Sequence, residues 1–181
     1  MAVLLGIEVP SSDPVFLSIV FGVHIPLGIA CVIAGAIAMF SPKGLGRHAT
    51  AGKVYFWCLT ALFASTSVLS LMRWAEDYPL FLFGAAAFTS ALFGRTALRM
   101  RWPYWTRLHL TGMGFSYALM LAAFYVDNGK QLPVWKDLPP VIYWLLPVAV
   151  AVALIGRALL THPLRGLGDP AAGDAKRERS E

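Results

Sequence analysis

Five stretches of about twenty apolar residues occupy most of this 181-residue chain, and they leave it few ways to fold. The runs cover residues 15–40, 52–72, 79–98, 108–126 and 141–160. At about 1.5 Å of helical rise per residue, each can cross a hydrocarbon layer of about 30 Å. Lipid offers no hydrogen-bond partners, so a spanning backbone must satisfy itself within the segment, as a helix does. The ten-residue alternating strands of a membrane barrel are absent. The expectation is an all-α, integral membrane bundle of about five transmembrane helices.

The charge content agrees. Only 14% of residues are charged and 57% are hydrophobic, whereas a soluble domain carries about 25% charge. The net charge of +5 does not point to nucleic acid, because the bases flank the apolar runs. Cys31 and Cys58 both fall inside apolar runs, so neither a disulfide nor a CxxC metal site is indicated. The first run is too long for a cleavable signal and lacks a basic leader, so it is expected to stay in the protein.

The loops suggest an orientation. Lys43, Arg47 and Lys53 lie around the first loop, and Arg95, Arg99, Arg101 and Arg107 around the third, without an acid in either group. The second loop carries Arg73, Glu76 and Asp77, the fourth Asp127, Lys130, Lys136 and Asp137, and the N-terminal segment Glu8 and Asp13. The positive-inside rule places the basic loops in the cytoplasm, giving N-out/C-in. Residues 1–14 then form an extracytoplasmic segment, 15–162 the transmembrane domain, and 163–181 a cytoplasmic tail whose composition suggests disorder. Trp74, Tyr78, Trp135 and Trp144 would form an outer aromatic belt; Trp57, Trp102, Tyr104 and Trp105 would form an inner one. On this reading Arg95 and Arg157 reach out to the cytoplasmic interface, and the Pro-rich segment 132–140 is an ordered lid.

Small residues recur every four positions: Ala30, Ala34 and Ala38; Ala86 and Ser90; Gly112 and Ser116. In lipid such spacing lets helix backbones approach closely. Pro26 and Pro147 sit inside spans and should kink them, Pro26 freeing the Gly22 carbonyl.

The chemistry-bearing residues are the histidines. His24 lies in the outer half of the first span, where an ionisable side chain is a functional candidate by default, although a satisfied interhelical hydrogen bond explains it more simply. His48 opens the second helix and His109 the fourth, and His162 follows the fifth. His48, Gly52 and Tyr55 share one helix face, and His109, Met113, Ser116 and Met120 share another. Gly52 would leave room beside the imidazole for a neighbouring helix or a flat ligand. The plain alternative is that these histidines contact headgroups and the methionines simply pack.

The pattern of His48, Gly52, Lys53 and Tyr55, then Arg107, His109, Met113 and Ser116 two helices later, resembles a family of bacterial membrane proteins classed as a domain of unknown function. Asp127-Asn128-Gly129, Leu132-Pro133 with Trp135, and Leu138-Pro139 are similar to one branch of it. The resemblance covers roughly residues 20–150 and departs at Ala49, where that family often has Arg. It implies a multi-pass protein of the bacterial cytoplasmic (inner) membrane and supplies no activity.

Three functional readings follow. In the first, the chain is a non-enzymatic membrane module or subunit, with the lipid bilayer and a membrane-protein partner around it and histidines that only tie helices together. In the second, His48 and His109 are the axial metal ligands of a b-type haem, with Tyr55, Met113 and Ser116 beside it and Arg47, Lys53, Arg101 and Arg107 near its propionates. In the third, a small transporter uses His24; it lacks a second buried charge, and no inverted repeat is visible. For His48 and His109 to act together, the second and fourth helices must face each other at their basic ends.

Overall fold

The computed structural model describes residues 2–4, 7–9, 11–43, 46–132 and 137–161. A two-stranded antiparallel ribbon comes first, β1 (Ala2–Leu4) against β2 (Ile7–Val9), with Ala2 opposite Val9. Five long helices follow: α1 (Pro14–Phe40), α2 (Arg47–Met72), α3 (Trp74–Met100), α4 (Trp105–Asn128) and α5 (Pro140–Thr161). Four of them, α1 to α4, are long and apolar enough to cross a membrane, and α5 contributes a further apolar stretch, Trp144–Leu160. The bundle is helical, as the apolar runs require.

Local chemistry sets the helix ends. Asp13 caps α1, its carboxylate accepting from the Val15 N–H at 2.8 Å, with Pro14 pre-set for the first turn. Pro26 cannot donate to Gly22, and the helix widens just ahead of it into a π-helical turn, Val20–His24. The second loop shrinks to the single residue Arg73. Glu76 and Asp77, expected in that loop, instead occupy the first turn of α3, where the helix dipole favours acids. Arg73 pairs with Glu76 and with Asp77 (3.4 Å) and stands over the Phe16 ring. Pro79, the first residue of the third apolar run, lies inside the second turn of α3. The α3–α4 turn is tight, and Arg101 (φ 50°) and Tyr104 (φ 58°) both adopt the left-handed conformation.

Each helix packs on its sequence neighbours. The core contains Cys31 and Ala34 of α1, Tyr55, Phe56, Leu59 and Leu62 of α2, Ala87 and Ala91 of α3, and Met120 of α4. The buried small residues of α3 are Ala87, Ala91, Gly94 and Ala97, one position on from the expected Ala86 and Ser90. Gly94 and Gly112 let α3 and α4 touch through their backbones: a Cβ on Gly112 would lie 2.8 Å from the Gly94 Cα. Gly35 receives the Tyr117 ring in the same way.

The outside is apolar. Trp57, Leu71 and Leu160 are 63%, 73% and 87% exposed, and Trp74, Tyr78, Trp102, Tyr104 and Trp144 are exposed as well. Contiguous apolar surface on this scale needs lipid around it. Arg95 turns inward, its guanidinium carbon 4.4 Å above the ring of the core residue Phe56. A helical side chain leans toward its own N-terminus, and here the half-buried guanidinium meets an aromatic face. His162, the tail 163–181 and the middle of the proposed lid, 133–136 with Trp135, lie outside the described residues.

Candidate functional site

The last turn of α1 has carbonyls with no partner in its own helix. Lys43 folds back to cap them, its ammonium donating to Met39 O (2.7 Å) and Ala38 O (3.4 Å). Its partial burial pulls the ammonium below the usual lysine pKa. His48, in the first turn of α2, donates from Nδ1 to the same Ala38 carbonyl at 2.8 Å. His109, in the first two turns of α4, donates from Nδ1 to Gly94 O on α3 at 3.1 Å. That second bond depends on the Gly94–Gly112 approach, which brings the α3 carbonyl within reach.

The two imidazoles meet. Their ring centres are 6.3 Å apart with an interplanar angle of 81°. A carbonyl can only accept, so each neutral ring carries its proton on Nδ1 and keeps a lone pair on Nε2. Metal-bound histidines show the same arrangement, with the non-ligating nitrogen anchored to a backbone carbonyl.

Seven residues further along each helix, Tyr55 Oη and Ser116 Oγ share a hydrogen bond of 2.8 Å in the core. Tyr55 is 2% exposed and Ser116 fully buried. Cys31 Sγ lies 3.8 Å from Tyr55 O, and Tyr117 Oη donates to Val32 O at 3.2 Å. Met113 packs against this core, and the space beside Gly52 is open. His48 and Tyr55 of α2 thus face His109 and Ser116 of α4, with Met113 packed on the core beside them. Arg107 does not join them: it is exposed on the first turn of α4. Arg47 and Lys53 are exposed too. The sequence reading missed Lys43 as a partner of the site and Gly94 as the acceptor. A lysine three residues past a helix end, and a glycine set against another glycine, were the available signals.

His24 stands apart from the pair. Its Nδ1 lies 3.0 Å from Ser65 Oγ, whose own proton goes to Leu62 O at 2.8 Å, so the imidazole donates. The bond ties α1 to α2. Among the described residues, no buried side-chain nitrogen or oxygen lacks a partner, and no three His, Cys, Asp or Glu side chains cluster as metal ligands would. Compared with protein-family models, curated proteins and solved structures, the chain matches none of them.

Proposed function

We propose that the chain is a non-enzymatic membrane module whose polar side chains lock a helical bundle. One observation carries this reading: His24, His48 and His109 each spend Nδ1 on a different helix. Such bonds hold helices together where the hydrophobic effect cannot. Its setting is a bacterial inner membrane, oriented N-out/C-in, with a membrane-protein partner. The test is detergent-solubilised protein in which His24, His48 and His109 are replaced singly by alanine. Each replacement should lower the thermal midpoint while the protein still reaches the membrane. Unchanged midpoints for all three would sink the reading. The transporter reading gains nothing at His24, whose partner Ser65 is a hydroxyl and not a second charge.

A second reading, b-type haem held by His48 and His109, is favoured by their convergence and by the anchored Nδ1 atoms. The basic residues at that end and the open space beside Gly52 suit its propionates and its flat ring. Haem would bring redox chemistry; the histidines would hold and orient it. The absorption spectrum of protein purified from membranes decides: a Soret band lost on replacing either histidine supports haem, and its absence in haem-replete cells rejects it.

A further inference from the structure

The His48–His109 pair supports an inference beyond a structural tie. We propose that their Nε2 atoms form a low-coordinate site for a monovalent d-block cation, copper(I) above all. The separation of the rings comes first. Metal–nitrogen bonds of about 2 Å, added to roughly 1 Å from each nitrogen to its ring centre, put two imidazole centres about 6 Å apart on one ion. The rings here are 6.3 Å apart before any ligand is present. Both Nδ1 atoms are occupied by carbonyls on other helices, so the free lone pairs are those of Nε2. The rings come from separate helices and their orientations are fixed, so binding requires little further ordering.

The surrounding donors select the ion. Zinc is almost always four-coordinate in proteins, and no third His, Cys, Asp or Glu completes a group among the described residues. Copper(I) is satisfied by two nitrogens in a line. Met113, one turn beyond His109 on the same helix, carries a soft thioether of the kind copper(I) prefers. Charge points the same way. Lys43 and His48 share the Ala38 carbonyl, so an ammonium stands close to the site. The sequence from 41 to 53 and from 93 to 110 contains no acid to offset added charge. Repulsion between a bound ion and Lys43 doubles from a monovalent to a divalent ion, which disfavours zinc, nickel and copper(II).

The full-length protein in detergent, held anaerobic, tests this by competition for copper(I) against a chromogenic chelator, with silver(I) as a redox-inert surrogate. His48→Asn and His109→Asn are the informative variants, because asparagine can keep the N–H bond to the carbonyl while removing the imidazole lone pair. The expected result is one copper(I) or silver(I) per wild-type chain, with affinity lowered by about two decades or more in either variant at unchanged thermal midpoint. X-ray absorption should show two nitrogen scatterers, joined by sulfur only if Met113 binds, which Met113→Leu would then remove. Absence of binding to the wild type, binding that survives in the double asparagine variant, or equal stoichiometric zinc binding would each overturn the site. A helix-tying role alone would show as stability loss in the alanine variants without any metal binding, so the two claims fail separately.

Discussion

Gly94 and Gly112 face each other so closely that a Cβ on Gly112 would lie 2.8 Å from backbone atoms of Gly94 and Ser90. Backbone cannot swing aside as a side chain can. Gly112→Ala should therefore push α3 from α4 and weaken the His109–Gly94 bond, at about 1–3 kcal/mol, typical of overpacking. Gly52→Ala is the contrast, since nothing lies within 4 Å of its position. There the gain in helix propensity should be neutral or stabilising by up to about 1 kcal/mol. Thermal unfolding in one detergent compares them; equal effects would show that the α3–α4 contact is not this tight.

Tyr55 and Ser116 form a buried pair joined by a 2.8 Å hydrogen bond. Tyr55→Phe and Ser116→Ala should each destabilise by about 1–3 kcal/mol, because each leaves a buried hydroxyl without its partner. The double variant should lose less than the sum, with a coupling of about 1 kcal/mol. Simple additivity would mean the two side chains do not meet in the membrane.

The left-handed Arg101, at the end of α3, bears a strain that glycine would relieve. Arg101→Gly should raise stability by about 0.5–1 kcal/mol even though it removes the cation–π contact to Trp105. A lower thermal midpoint would show that the arginine contact outweighs the backbone strain.

The spans could be read from the sequence because lipid imposes one rule on every backbone polar group, and a run of about twenty apolar residues has one way to satisfy it. That His48 shares a face with Tyr55, and His109 with Ser116, was legible for a related reason, the 3.6-residue period. What escaped depends on neighbours. Arg73 alone joins α2 to α3 because Glu76 and Asp77 are more favourable on a helix N-terminus than in a loop. Only the placement of α2 reveals the Phe56 face beneath Arg95. Arg107 matched a motif, yet its position on α4 turns it outward.

We propose the N-out/C-in orientation from the bases flanking the first and third loops. A dual reporter fused after Glu181 should be active only in its cytoplasmic form. Strong activity on the opposite side of the membrane would reverse the assignment and place the histidine pair at the outer face.

The central claim is that α2 and α4 bring positions 48 and 109 together. In a Cys31→Ala, Cys58→Ala background, cysteines at 48 and 109 should be joined in native membranes by a short bifunctional thiol reagent spanning about 5–6 Å, since the native ring centres lie 6.3 Å apart. A pair at 24 and 109 is the control: His24 bonds to Ser65, 17 residues along α2 from His48 and so about 25 Å away along the helix. Mass spectrometry of the cross-linked peptides should find the 48–109 bridge in high yield and no 24–109 bridge. Equal yields, or a 48–109 yield no higher than the control, would contradict the account.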